Sequence, residues 1–152
     1  MKRRHFLLSA LAASAAPMAL RAEAFEVTRT DAEWRAMLTQ TQYNVMRRES
    51  TEPPRSSPLN ANKAEGTYHC RGCDLPLYPS WSKYESGTGW PSFYSPLPNA
   101  IATKVDNRSF QTRNELHCRR CGSHLGHIFA DGPKPTGQRH CLNGVSLVFR
   151  AA

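Results

Sequence analysis

The feature that most constrains this chain is a pair of cysteine knuckles, Cys70-Arg71-Gly72-Cys73 and Cys118-Arg119-Arg120-Cys121, with 44 residues between them. A C-x-x-C turn aims two sulfurs at one point, and two such turns complete a tetrahedral four-thiolate site for zinc. Gly72 and Gly122 suit the tight backbone turns this requires. The separation exceeds that of a single zinc ribbon, so one metal ion per chain would clip two distant loops together. Four thiolates leave no open position for water or substrate, which makes the expected zinc structural. Disulfides are the alternative if the domain is exported, but bridges within C-x-x-C pairs are strained and reducible, so zinc is the favoured reading.

The chain has 152 residues, enough for one domain and too few for two full ones. A hydrophobic fraction of 39% and a charged fraction of 21% exclude a disordered or collagen-like chain. The N-terminus begins Met1-Lys2-Arg3-Arg4-His5-Phe6-Leu7-Leu8, continues through an Ala/Leu-rich run to Leu20, and reaches Ala22-Glu23-Ala24. A basic head, a short apolar middle and small residues at a cleavage point predict a signal peptide over residues 1–24, with the mature domain over 25–152. Arg3-Arg4 followed by Phe6-Leu7 resembles a twin-arginine signal, so a periplasmic or otherwise exported protein is expected, folded and metallated before export. A retained anchor is the alternative, but the apolar stretch from Phe6 to Leu20 is shorter than the roughly 20 residues a spanning helix needs, so no stable membrane insertion is expected.

Removal of that segment takes away Lys2, Arg3, Arg4, Arg21 and Glu23, and the formal charge falls from +8 to +5. The remaining cations are scattered, with Arg47-Arg48 and Arg119-Arg120 the longest runs. Scattered charge usually solvates a surface, so no nucleic-acid partner is expected. No extended apolar patch is evident, which favours a monomer.

Thr30-Asp31-Ala32-Glu33 is a capping-box pattern, and Trp34, Met37 and Leu38 follow at helical spacing; together they predict a helix over residues 31–40. Thr51 to Pro58 carries three prolines and reads as an extended loop. Beyond it, short runs rich in Tyr, Trp, Phe and Val alternate with Gly and Pro, and Val145 to Phe149 is the clearest strand, preceded by turn residues from Asp131 to Gly137. No second helix is predicted. The fold class is therefore mainly antiparallel β with one short N-terminal helix.

Cys141 is left over once the knuckles are assigned. In an extended segment Arg139, Cys141 and Asn143 share one face. A guanidinium beside a thiol favours the thiolate and lowers its pKa from about 8.5, which would make Cys141 reactive. The competing reading is a buried, inert cysteine.

Three strings are more specific: Ser86-Gly87-Thr88-Gly89-Trp90-Pro91-Ser92-Phe93, His124-Leu125-Gly126-His127-Ile128-Phe129-Ala130-Asp131-Gly132-Pro133, and Thr136-Gly137-Gln138-Arg139-His140-Cys141-Leu142-Asn143. With Trp34, Tyr43, Thr51-Glu52 and both knuckles in the same order, they resemble the methionine sulfoxide reductase B family from about Phe25 to Phe149. The resemblance implies two twisted antiparallel sheets, a structural zinc on Cys70, Cys73, Cys118 and Cys121, and reduction of methionine-R-sulfoxide, free or in oxidised proteins. It places the nucleophile on Cys141, the active-site histidines on His124 and His127, the guanidinium on Arg139, the amide on Asn143, and the indole that receives the substrate methyl group on Trp90.

The chemistry of those residue types agrees. A sulfoxide sulfur is electrophilic once its oxygen is being protonated, so the site needs a soft nucleophile and a nearby acid. Cys141 supplies the first, and an imidazole at 124 or 127 the second. The product on the enzyme is a sulfenic acid at Cys141. Taken alone, two histidines three apart could equally hold a metal, and Gly89-Trp90-Pro91-Ser92-Phe93 could be a packed turn.

One position departs from the resemblance. Many relatives carry a second, resolving cysteine where this chain has Thr88, so a one-cysteine cycle is expected, closed by an external thiol or a thioredoxin-like reductant. The competing functions are a zinc-ribbon binding module and a redox sensor that has lost turnover.

Overall fold

The computed structural model describes residues 24–152; the expected signal peptide, but for Ala24, lies outside the described residues. Two short helices come first. Thr30 caps α1 (Asp31–Met37): its hydroxyl accepts from the Glu33 N–H, and the Glu33 carboxylate accepts from the Thr30 N–H at 2.7 Å. The predicted single helix over 31–40 is broken at Leu38, whose backbone is extended. Thr39 and Gln42 then form a second capping box that starts α2 (Gln40–Arg48). This helix is polar along most of its length, so periodicity alone gives it little signal. Tyr43, Val45 and Met46 are its buried residues and hold it to the domain.

The remainder is β. A three-stranded sheet has the order β2 (Pro76–Pro79), β1 (Gly66–Cys70), β9 (Leu147–Ala151). A six-stranded sheet has the order β3 (Lys83–Tyr84), β4 (Ser92–Phe93), β8 (Arg139–Leu142), β7 (His124–Phe129), β6 (Arg113–Cys118), β5 (Ile101–Asp106). All the strand pairs are antiparallel. The two-sheet, mainly β architecture is therefore as predicted, with one more helix. The two sheets share an aromatic core: Tyr68 of β1 and Tyr78 of β2 meet Phe93 of β4 at ring separations of 5.0 and 4.7 Å. All three rings are fully buried, and area burial of this kind contributes about 25 cal/mol per Å². The predicted strand Val145–Phe149 begins two residues late. Gly144 and Val145 donate their N–H groups to the Glu52 carboxylate at 2.6 and 2.9 Å, drawing residues 144–146 into a 3-10 turn before β9 starts.

Register decides what the six-stranded sheet can do. Facing residues of antiparallel strands project from the same face. Lys104 pairs with Glu115, Glu115 with His127, His127 with Cys141, and Cys141 with Ser92, so one transverse row across five strands carries all five side chains. A neighbouring row on that face holds Asp106 with Arg113, and Phe129 with Arg139. Gly126 makes the close approach between β7 and β8 possible: a Cβ there would lie 1.9 Å from the Cys141 carbonyl oxygen. Among the described residues no helix is long and apolar enough to cross a membrane.

Candidate active site and metal centre

Above the row lies a cavity of about 130 Å³ whose lining includes Cys141, His127, Trp90, Phe129, Arg113 and Asn143. Drug-sized sites span about 300–1,000 Å³. This one accommodates the end of a single side chain, with two aromatic walls and a thiol.

His127 is held by a carboxylate. Its Nε2 lies 2.8 Å from Asp106 Oδ2. The Arg108 side chain and backbone hold the Asp106 carboxyl far below the usual carboxylate range, and His127 itself adds to this. An ionised carboxylate only accepts, so His127 carries its proton on Nε2 and its Nδ1 is the free nitrogen of the ring. Burial pushes the His127 imidazolium down; Asp106 opposes that, while Arg113 and His124 add to it. The resting ring is neutral at pH 7.

His124 is built the same way but lies deeper. Its Nδ1 meets Glu115 Oε1 at 2.6 Å, and its side chain is 1% exposed. Burial raises the Glu115 carboxyl, but His124 and Lys104 outweigh it and the net shift is downward. The His124 ring stands edge-on to His127 with centroids 5.4 Å apart. It does not line the cavity. The two histidines are therefore brought together but are not equivalent: one faces the cavity and one supports it.

Both carboxylates belong to one closed circuit of charge. Lys104 Nζ bridges Glu115 Oε2 at 2.9 Å and Glu49 Oε1 at 2.5 Å. Arg108 bridges Asp106 at 3.0 Å and Glu49 Oε2 at 2.6 Å. Glu49 caps α2 in the left-handed conformation, and its single carboxylate thus anchors both branches. None of Glu49, Lys104, Asp106, Arg108 and Glu115 was predicted from sequence. Asp106 lies 21 residues from the histidine it holds. Strand register alone joins them.

Arg139 lies on the Cys141 face as expected, but it forms a bidentate pair with Asp131 at 2.9 and 2.9 Å and stacks over Phe129 at 4.3 Å. The Cys141 thiol is also not depressed as the sequence suggested. Burial pushes it up, and the opposing pull of Arg139 and Thr88 does not overcome that. At rest the thiol is protonated, and Cys141 as a residue is half-buried. Asn143 lines the cavity with both ends of its amide occupied: Oδ1 accepts from Glu52 N–H at 2.9 Å and Nδ2 donates to Leu125 O at 3.1 Å. Trp90 Nε1 donates to Glu52 O at 3.0 Å. Buried Glu52 therefore ties the indole, the amide and the turn at Gly144 together. His140, on the opposite face of β8, bonds Tyr78; burial pushes it down to about 4, so it is no acid for this site.

The knuckles are built alike. Asp74 N donates to Cys70 O and Gly122 N to Cys118 O, each at 2.8 Å; Cys70 N and Cys118 N donate to the carbonyls of Leu75 and Ser123. Gly72 is needed for space, since a Cβ there would lie 2.8 Å from Ser123 Oγ and 3.2 Å from Cys121 Sγ. All five cysteines are free. Four sulfurs lie within 4.8 Å of one another, with Cys70 to Cys121 at 3.7 Å and Cys73 to Cys118 at 3.5 Å. Zn–S bonds of about 2.3 Å in a tetrahedron place sulfurs about 3.8 Å apart. The donor set and its spacing fit zinc. Arg29 donates to Gly72 O at 3.0 Å and Arg47 to Cys121 O at 3.2 Å, and both guanidiniums lie over the Trp34 ring, at 4.9 and 4.6 Å. One indole thus braces both knuckles.

The sequence signature of the SelR domain matches residues 38–151. The chain is 48% identical to "Peptide methionine sulfoxide reductase MsrB" of Methanosarcina mazei over 125 residues, covering 82% of this chain and 89% of that protein. The proteins of the same name from Methanosarcina barkeri and Pseudomonas putida are 49% and 47% identical, again over 82% of this chain, and are covered to 88% and 95% of their lengths.

Proposed function

The chain belongs to the methionine sulfoxide reductase B family, an oxidoreductase family, and from that membership we propose that it reduces methionine-R-sulfoxide, free or in oxidised proteins, with Cys141 as nucleophile and His127 as proton carrier. The observation that carries the assignment is the pairing of Cys141 with His127 across β7 and β8, beneath a cavity sized for one side chain. The substrate methyl group rests on Trp90, and Phe129 forms the second apolar wall.

The half-buried thiol and the neutral imidazole suit one another. As the sulfoxide enters, the Cys141 proton passes to His127 Nδ1, and Asp106 stabilises the imidazolium across the ring. The thiolate attacks the sulfoxide sulfur while His127 returns that proton to the oxygen. The S–S bond formed by the attack and the substrate S–O bond then break as the oxygen moves to Cys141, so methionine leaves reduced and Cys141 is oxidised to the sulfenic acid. No proton is gained or lost overall. Arg139, fixed by Asp131, stabilises negative charge on the sulfur. Asn143 and Glu52 position the cavity wall.

The cycle closes with an external thiol or thioredoxin-like donor. Attack of that thiol on the sulfenic sulfur releases water and leaves a mixed disulfide, which a second thiol displaces to restore Cys141. A one-cysteine cycle is supported by the hydroxyl at Thr88 and by the engagement of the other four cysteines with one another. Cys70, Cys73, Cys118 and Cys121 would hold zinc, which would supply a cross-link between the two knuckles and no step of turnover. Export by the twin-arginine route remains part of the proposal; Phe25, the residue after the expected cleavage point, packs on His117 at 5.9 Å.

The test is turnover of the two epimers of a methionine sulfoxide peptide with dithiothreitol as donor. Activity on the R epimer, reduced to background by Cys141→Ser, is expected. Equal activity on both epimers, or activity that survives the substitution, refutes the assignment.

A further inference from the structure

The Asp106 oxygen that holds His127 is shared with a cation. Oδ2 accepts from His127 Nε2 at 2.8 Å and from Arg113 Nη2 at 2.9 Å. Oδ1 is taken by Arg108, which donates from its backbone N–H and from Nε, each at 3.0 Å. One buried carboxylate thus meets an imidazole and two guanidiniums. Register makes the arrangement: Arg113 is the strand partner of Asp106 on β6, and His127 lies across β6 on β7.

The two guanidiniums are not alike. Arg108 is half-exposed, does not line the cavity, and divides its charge between Asp106 and Glu49, which its Nη1 reaches at 2.6 Å. Arg113 is part of the cavity wall. Among the described residues its hydrogen bond to Asp106 is the one it makes, and its Nε is buried with no partner. A buried N–H without an acceptor costs the fold free energy. A cation is therefore kept beside the reacting groups with a single counter-ion, which it shares with His127. Sharing weakens Asp106 as a base, because a carboxylate that already accepts from two guanidiniums gains little by taking a proton. The Nε2 proton of a His127 imidazolium stays on the ring, and the proton that leaves is the one on Nδ1. Arg113 also repels positive charge on that ring, which makes the imidazolium a stronger acid toward a sulfoxide oxygen, itself a very weak base.

We propose that Arg113 is a positioning residue for the His127 proton: by sharing Asp106 Oδ2 it keeps that carboxylate an acceptor, and it sends the imidazolium proton out through Nδ1 to the sulfoxide oxygen. This rests on the reading of His127 as proton carrier and adds what directs the proton. Arg113 itself neither gives nor takes a proton, so the balance of the transfer is unchanged.

The experiment reads His127 directly, by nitrogen NMR of its ring across pH in the zinc-loaded protein, and reads kcat on the R epimer with dithiothreitol over the same range. The charged and titratable groups facing His127 are Asp106 from β5, Arg113 and Glu115 from β6, Cys141 from β8 and His124 on its own strand. Arg108 stands behind Asp106, and Arg139 is stacked over Phe129 on the neighbouring row. Of these, the variants change Arg113 alone. Arg113→Gln keeps an N–H for Asp106 and removes the charge. It is expected to raise the His127 titration midpoint by about one pH unit, to carry the alkaline limb of kcat upward with it, and to lower turnover several-fold. Arg113→Met, which also removes the charge, takes its place if Arg113→Gln does not fold, with the same rise expected. Arg113→Lys keeps the charge and is expected to titrate with the wild type and to recover most of the rate. If the charge-removing variant leaves the midpoint where it is, or if Arg113→Lys shifts as far, Arg113 serves packing alone and the proposal fails. A midpoint that rises while the kcat limb stays in place overturns the reading of His127 as proton carrier, and the proposal with it.

Discussion

The five cysteines occupy two kinds of environment, and the chain builds each in a different way. Four sulfurs converge because two local turns of near-identical hydrogen bonding aim them, and because Arg29, Trp34 and Arg47 brace both turns from one side. The fifth stands on a strand beside Arg139, and its other partners come from separate strands: His127 from β7, Asp106 from β5 and Ser92 from β4. The cluster is a local motif repeated. The Cys141 site is a product of sheet register, in which a slip of one residue would turn the sulfur to the opposite face. The clustered cysteines and Cys141 are thus separated in this fold by how non-local their surroundings are.

The comparison is tested most severely by removing the metal. A four-thiolate zinc site contributes folding free energy outright, so chelation under reducing conditions is expected to destabilise the domain by several kcal/mol and to lower its melting temperature sharply. Cys141→Ser is expected to leave stability within about 1 kcal/mol while abolishing turnover. Thermal unfolding of the two preparations decides the matter. Similar melting losses would erase the distinction between a cluster that folds the chain and a cysteine that only reacts.

How much of each environment is legible in the sequence follows the same division. The knuckles can be read directly, because two cysteines three apart need only a turn to converge. Cys141, His127 and Trp90 are found through strings that carry a resemblance, and the cavity gathers them. Asp106, Glu115 and Glu49 sit in no such string. An isolated Asp in Thr103-Lys104-Val105-Asp106 has no periodicity or spacing to mark it as a histidine's partner until β5, β6 and β7 are laid side by side. The elevated thiol at Cys141 escaped for a related reason. Proximity of Arg139 can be guessed from alternation along a strand, whereas burial, which dominates, depends on the whole cavity. The second helix escaped because Thr39-x-x-Gln42 is a readable cap but the residues after it are mostly polar, and packing of Tyr43, Val45 and Met46 outweighs propensity.

Register is probed at its farthest point by Asp106→Asn. Asp106 opposes the downward push of burial on the His127 imidazolium, so an amide there lowers that imidazolium's pKa further. His127 then takes the Cys141 proton less readily. Turnover at pH 7 is expected to fall about 10²-fold, within the range assigned to a positioned acid–base group. The sign on the pH profile is fixed as well: removal of a negative charge moves the alkaline limb of kcat to lower pH. Zinc content should be unchanged. A rate profile that falls uniformly, with no movement of the limb, would mean that Asp106 acts through the stability of the β5–β6 hairpin and not through His127.

The smallest effect is expected on the cluster side, at Arg47. Its guanidinium reaches Cys121 O and lies over Trp34, yet it touches no sulfur and lies outside the cavity. Outer partners of metal ligands typically alter affinity by about 10- to 100-fold. Arg47→Gln removes the charge and the stacking while leaving Arg29 on the other knuckle, so zinc release to a chromogenic chelator is expected to accelerate about tenfold. Freshly zinc-loaded Arg47→Gln should reduce methionine sulfoxide at the wild-type rate, because nothing in the row from Lys104 to Ser92 depends on Arg47. A release rate equal to wild type would show that the knuckle turns alone hold the metal. A loss of turnover in the loaded variant would show instead that the cluster and the reactive sulfur are coupled, and that the division between local and register-built cysteine is not how this domain works.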